Sequence, residues 1–327
     1  MHGKNALRVL LAGLALALAL GATAAGAAPY PERPVRLIAP IAVGGLTDTL
    51  ARLVASGLAD KLGQPVVVEN KPGAGGIIGM EAAAQAAPDG YTLILVYQGV
   101  AAVNASLYKN LPYDTRRDFA PVAGLGNFPL VLVASPASGI QSVGALLERA
   151  GKQAKAPSYA SAGNATTSHL TMELFKNASG LQALHVPYKG EGPANTDVAG
   201  GQVDIAFSSL ASVAPLVKSG RLVALGISTP ERSAVLPDVP TIAQAGVAGF
   251  EAVGWYGLLA PAGTPAEVVA KLSDAVAAVL DQPAIRAKLE ALGVNARATP
   301  ATDFGRQIDA ETEKWRAVIQ TAGITLD

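Results

Sequence analysis

Short, almost wholly apolar runs recur along this chain at spacings that leave room for one helix between them. The first three are VRLIAP (35–40), PVVVEN (65–70) and YTLILVY (91–97). A strand that is apolar at nearly every position must be covered on both faces, which is the habit of parallel strands joined by helices. The connecting segments agree. One carries Leu50, Leu53, Val54, Leu58 and Leu62 on a single helical face and ends at Gly63. The other is a Gly-rich turn, KPGAGG, leading into a helix that stops before Pro88. The alternation then resumes with new spacing. LVLVAS (130–135), PSYASA (157–162), ALHVPY (183–188), VDIAFS (203–208) and LVALGIS (222–228) read as strands, with helical segments at 143–150, 168–178 and 193–199 among them. GFEAVGWYGLLAPAG (249–263) reads as a strand-like crossing with a polar-aromatic centre. Two helices close the chain, one through Val268, Leu272, Val276 and Leu280, the other through Phe304, Ile308, Trp315 and Ile319.

A chain of 327 residues is long for one hydrophobic core. The pattern therefore predicts an α/β fold of two doubly wound sheets, joined by two crossing strands at about 124–130 and 252–258, with a cleft between them. The basic start, the apolar run from Val9 to Leu20 and Ala25-Gly26-Ala27 predict a secretory signal peptide over residues 1–27, cleaved near Ala27. The run is well short of the roughly 20 residues that span a bilayer. The predicted division is then 28–126 plus 254–327 for one domain and 127–253 for the other, in an exported, periplasmic protein.

Composition narrows the function. Half the chain is hydrophobic and 15% is charged, which suits packed α/β layers and not disorder. Lys and Arg number 25, as do Asp and Glu, so no basic excess points to nucleic acid. Without cysteine there are no disulfides, no thiolate metal sites and no cysteine nucleophile. Of three histidines only His169 and His185 lie beyond the leader, too few for a histidine-rich metal site. No metal and no cofactor are expected, and the protein is expected to be a monomer.

In doubly wound sheets ligands sit beyond the carboxyl ends of the strands. That rule selects the loops 41–48, 71–79, 97–104, 161–168, 188–193 and 207–212. IAVGGLTD places Gly44, Gly45, Thr47 and Asp48 at a helix start. It reads either as a capped turn or as a backbone open to an anion, with Asp48 as the cap or as a partner for an ammonium. YASAGNATTSHL places Gly163, Asn164, Thr166, Thr167 and Ser168, uncharged, before another helix, with the same two readings. PGAGGIIG fails the dinucleotide fingerprint because Ile78 stands at its last glycine, and neither a P-loop nor a nucleophile elbow occurs. Ser168 and His169 are neighbours on a helix and do not face each other. His185 reads as a core residue, Lys189 as a solvated or ligand-pairing lysine, and Ser208 and Ser209 as a strand end near the cleft.

Taken in order, YPERPVRLIAP, GGLTDTLARL, GQPVVVENKPGAGGIIG, AAPDGYTLIL, YASAGNATTSHL, HVPYKGEGPA, GGQVDIAF, LPDVPTIAQAG and WYGLLAPAGTP resemble the substrate-binding proteins of tripartite tricarboxylate transporters, the Bug receptor family. The resemblance covers essentially the whole chain after the leader. It implies a type II periplasmic-binding-protein fold and an extracytoplasmic receptor, not an enzyme, that delivers a small carboxylate to membrane permease subunits. It also implies that amides and hydroxyls from both domains hold the carboxylate. The matching positions are Gly44, Gly45, Thr47 and Asp48 on one side and Gly163, Asn164, Thr167 and Ser168 on the other. The loops depart from the family pattern at Val43 and Leu46, at Ala165 where glycine is common, and at Tyr97 and Gln98 where smaller residues are frequent. Thr166, Tyr97, Gln98 and Ser208 complete the expected substrate-binding set. Two other readings are a ligand-loaded sensor that signals to a membrane receptor and a hydrolase using Ser168 or Ser208.

Overall fold

The computed structural model describes residues 30–44, 46–152 and 156–324. The predicted leader, its cleavage site near Ala27 and Gly45 lie outside the described residues. The first lobe begins with β1 (Val35–Ala39), α1 (Leu46–Leu62), β2 (Val66–Asn70), α2 (Ile77–Ala84) and β3 (Thr92–Tyr97). After two short helices, α3 (Asn104–Leu107) and α4 (Thr115–Asp118), comes β4 (Phe119–Ala134). The second lobe follows with α5 (Val143–Lys152), β5 (Ser158–Ser161), α6 (Thr167–Ser179), β6 (Leu184–Pro187), α7 (Glu191–Ala199), β7 (Ile205–Ser209), α8 (Leu210–Lys218) and β8 (Val223–Ile227). The chain returns through β9 (Val253–Pro261) and ends with α9 (Ala266–Leu280), α10 (Pro283–Ala291), β10 (Asn295–Pro300) and α11 (Ala301–Ala322).

β1 pairs in parallel with β2 and β3, and β5 in parallel with β6 and β7, as the apolar runs predict. The crossing strands enter antiparallel, because β4 leads into the second lobe and β9 leads back out of it. β9 lies between β3 and β4. β4 is shared by the two sheets. Residues 119–129 pair with β9, and residues 130–134 pair with β7. Its remaining edges take β10 in the first lobe and β8 in the second.

Side chains alternate across each strand, so successive residues supply opposite cores. Leu37 and Leu93 pack with Leu50, Val54 and Leu58 of α1 and with Leu272, Val276 and Val279 of α9. Ile38, Ile94 and Val96 face the other way, onto Met80, Val103, Phe304 and Trp315. The second lobe repeats this layout, with Leu130 and Leu132 on one face and Val131 and Val133 on the other. Both faces of both sheets are therefore covered, and the open strand ends at the junction are left for a ligand.

Several segments differ from the sequence reading. The first crossing, predicted at about 124–130, extends over Phe119–Ala134, and its Pro- and Gly-rich start, FAPVAGLGNFP, forms a strand whose ladder slips between Pro121 and Ala123 and again between Gly124 and Gly126. Bulges of this kind absorb residues that a regular ladder rejects. β10 has no apolar run because it lies at a sheet edge, bonded to β4 alone. α10 and α8 also went unassigned. Among the described residues no helix is long and apolar enough to cross a membrane.

Candidate ligand-binding site

α6 begins beneath a cavity at the junction of the lobes. Thr166 is its N-cap residue, and no side chain caps the exposed amides of the first turn. Four N–H groups at a helix start lack partners within the helix, and their dipoles favour negative charge. Thr166, Thr167 and Ser168 line a cavity of about 250 Å³ together with Ala162. The second lobe also contributes Glu191 and Ser209, and the crossing strands contribute Phe128 of β4 and Tyr256 of β9. A second cavity, about 280 Å³, lies on the other side of the same helix start. There Asn164, Thr166 and Thr167 meet Tyr97, Asn104 and Tyr108 of the first lobe. Each is slightly below the roughly 300–1,000 Å³ usual for small-molecule sites.

The 161–168 loop is held from within. Gly163 has a φ of +137°, and a Cβ there would come within 3.2 Å of the Tyr188 carbonyl oxygen. The Thr166 hydroxyl donates to the Gly163 carbonyl (2.7 Å), and the Ala162 N–H donates to Ser168 Oγ (3.0 Å). The Ala165 N–H donates to His169 Nδ1 at 2.9 Å, so the ring carries its proton on Nε2. Behind the loop, His169 stacks on His185 with ring centroids 4.0 Å apart, and Ser161 Oγ lies 2.7 Å from His185 Nε2. Burial, and then the neighbouring His185, push the His169 pKa down to about 4; His185 is also lowered, chiefly by burial. Both rings are neutral structural braces. Ser161 is buried, so its contact with His185 is not an exposed nucleophile and base.

In the first lobe the predicted loop divides. Gly44 has a φ of +96°, and its N–H donates to Asp48 Oδ2 (3.0 Å). Asp48 is buried, and its carboxylate also accepts from Asn70 Nδ2 (2.9 Å) and Arg52 Nε (3.1 Å). The Asn70 and Gly44 hydrogen bonds hold its pKa down at about 2, with Arg52 adding to them against the effect of burial. Of the readings open for Asp48, ligand contact or a structural cap, its bonding fits the second: its oxygens are spent on shaping the loop. Thr47 does face the junction, with Oγ1 3.4 Å from the Tyr256 hydroxyl. Burial, then Tyr256 and Tyr108, raise the Tyr97 pKa to about 12, so its hydroxyl is a donor in the second cavity.

Two expectations are corrected. Gln98 is buried, and its Nε2 donates to Glu311 Oε2 (2.7 Å) and the Val253 carbonyl (3.2 Å), away from both cavities. Ser208 is buried and donates to Asn195 Oδ1 (2.6 Å). Because side chains alternate along a strand, the next residue, Ser209, is the one that reaches the cavity. Ser168 has no histidine partner for Oγ among its bonds, so neither hydrolase candidate is built for nucleophilic attack. Among the described residues no cluster of three or more metal-ligating side chains forms.

The sequence reading missed Tyr256, Phe128 and Glu191 as cavity residues. The aromatic centre of the second crossing and the acid in YKGEGPA were the available signals, and both were visible.

Comparison with known proteins gives a consistent result. The profile of the tripartite tricarboxylate transporter family receptor matches residues 50–324. BugT of Bordetella pertussis is 38% identical over 312 residues, 93% of this chain and 95% of BugT. An R. palustris protein solved with adipate is 36% identical, with a TM-score of 0.79 over 91% of this chain and 100% of that one. The periplasmic binding protein BugD is 35% identical, with a TM-score of 0.75 over 90% of this chain and 99% of that one. A two-lobed α/β fold, a profile match across most of the chain and relatives aligned along almost their full length agree: the chain belongs to the tripartite tricarboxylate transporter receptor family.

Proposed function

We propose that the protein is a periplasmic solute receptor that captures a small carboxylate between its lobes and hands it to membrane permease subunits. One observation carries the reading. An uncapped helix start, flanked by hydroxyls and free of any arginine, opens into a cavity walled by both lobes. Hydrogen bonds to a charged group contribute about 1.5–3 kcal/mol each, and the helix terminus adds about 0.3–1 kcal/mol. A few such bonds give reversible capture without an ion pair. The adipate found with a relative supports a carboxylate as the ligand class, and BugD supports the periplasm as the compartment.

The contact set is Thr166, Thr167 and Ser168 from the second lobe, with Thr47 and Tyr256 reaching from the first. Asn164 and Tyr97 serve a longer ligand that extends into the neighbouring cavity. The moving bodies are residues 28–126 with 254–327, and residues 127–253. The change of β4 partners at Pro129 and Leu130 supports that division. Binding and release, not turnover, is the activity, carried out by a monomer. Native mass spectrometry of the purified protein, followed by identification of any small molecule released on denaturation, tests this. A released carboxylate supports the reading; a released nucleotide or sugar overturns it.

A further inference from the structure

Glu191 is an anomaly in a cavity designed for an anion. It is the first residue of α7 and lines the same cavity as Thr166, Thr167 and Ser168. The Ser209 N–H donates to its Oε1 (3.1 Å) and the Ser209 hydroxyl to its Oε2 (2.6 Å). Those two bonds leave a lone pair on each oxygen and do nothing to neutralise the charge. Three acids of comparable or greater burial have a cation beside them: Asp48 has Arg52, Glu173 has Lys176 and Glu311 has Lys314. Asp197 and Asp204, like Glu191, are held by hydroxyl or amide donors alone, but neither lines this cavity. Among the described residues no lysine or arginine pairs with Glu191. Its negative charge is also felt by the Tyr256 hydroxyl on the opposite lobe. The cavity is thus bipolar, with donors at the α6 start, an unpaired carboxylate at the α7 start and two aromatic rings, Phe128 and Tyr256, 5.2 Å apart on the crossing strands.

A plain dicarboxylate filling this space places a second negative charge near Glu191. A ligand with one carboxylate and one ammonium satisfies both ends, and aromatic walls are favourable surroundings for the cation. We infer that Glu191 makes this receptor selective for carboxylates that also carry an ammonium group, such as amino acids, over the corresponding plain acids. The inference rests on the carboxylate-receptor reading above and specifies its ligand class.

Calorimetric titration of the purified protein with matched acid pairs differing by one ammonium tests it. The probes are butanoate and 4-aminobutanoate, succinate and aspartate, glutarate and glutamate, and adipate and 2-aminoadipate. For the pair that fits the cavity, the ammonium-bearing member is expected to bind at least tenfold more tightly. Glu191→Gln keeps an acceptor and a donor for Ser209 while removing the charge. It is expected to erase the preference, weakening the amino acid tenfold or more and leaving its plain partner unchanged or tighter. Ser209→Ala, which removes one bond to Glu191 but keeps the charge, is expected to retain the preference. Equal or tighter binding of the plain acid by the wild-type protein overturns the inference and leaves the carboxylate reading standing. Binding of none of the eight probes overturns both. The wild-type comparison decides even if Glu191→Gln does not fold.

Discussion

Asp48 and Glu191 stand at the same kind of place, an acid in the first turn of a helix near the junction, and they do opposite things. Asp48 accepts from Gly44, Asn70 and Arg52 and is spent on the fold. Glu191 is left with its charge uncompensated at the cavity wall. The sequence offers no way to rank them, because both are single acids beside glycines; only the side chains gathered from elsewhere decide. Asp48→Asn is therefore expected to reduce stability and not ligand selectivity. The Asp48 carboxylate is depressed to about 2 in the folded protein, so its contribution is complete above the unfolded value of 3.8 and is lost as pH falls through about 2. That contribution is about 2 kcal/mol. Denaturant titrations should show the wild-type advantage over the Asn variant at pH 7 and its disappearance near pH 2. Thr167 offers the converse case. It lines both cavities, and its hydroxyl has no partner among the described residues. Thr167→Ala should weaken carboxylate binding by about 1–3 kcal/mol and leave the thermal midpoint unchanged. Calorimetry with the released ligand checks this, and unchanged affinity would remove Thr167 from the site.

Helix α6 is positioned through its underside. His169 accepts from the Ala165 amide on Nδ1 and stacks on His185 (4.0 Å); Tyr159, Glu173 and Lys176 complete the surroundings. Folding holds His169 near a pKa of 4 against 6.5 when unfolded. From pH 6.5 down to about 4 the unfolded chain binds the proton and the folded one does not, so stability falls as pH falls through that window. The full loss is about 3 kcal/mol. His169→Gln keeps an acceptor for Ala165 and removes the titration, so its melting temperature should decline less between pH 7 and 4.5. Equal declines would show that the acid sensitivity lies elsewhere. At this scale the buried strands were legible because their apolar runs are continuous. β10 was not, since an edge strand with one partner needs no such run, and the start of the first crossing, before about 124, was hidden by its Pro and Gly. Ser208 and Ser209 show the limit for a site. Composition marks the strand end, and the facing of a strand that is apolar on both sides cannot be read from its own sequence.

For the molecule as a whole, β4 joins the lobes without a flexible linker. Its partner changes from β9 to β7 between Pro129 and Leu130, and the second crossing starts beside it, with Phe128 opposite Gly254. A Cβ on Gly254 would overlap the Phe128 ring at 2.0 Å, so the two crossings are packed face to face where the lobes meet. Closure over a ligand is then expected as a twist of two adjacent strands. Small-angle scattering is expected to give a smaller radius of gyration with saturating ligand than without it. Identical profiles would remove closure from the mechanism. That the chain crosses twice was legible from the lengths and order of its runs, but the sharing of β4 between sheets was not, because pairing across an interval of more than a hundred residues leaves no local pattern.

The same crossing sets an order of events during synthesis. β3 has β9 as its neighbour on one side, and the core of the first lobe is closed by Leu272, Val276 and Trp315 from the last quarter of the chain. A ribosome releases residues amino end first. The first hundred residues therefore emerge with an exposed strand edge and half a core, and they stay so until β9 and the helices after it arrive. The second lobe, contiguous in sequence, has all its own strands much earlier. The lobe that begins the protein is thus the last to be finished, and the nascent chain remains open through most of its elongation.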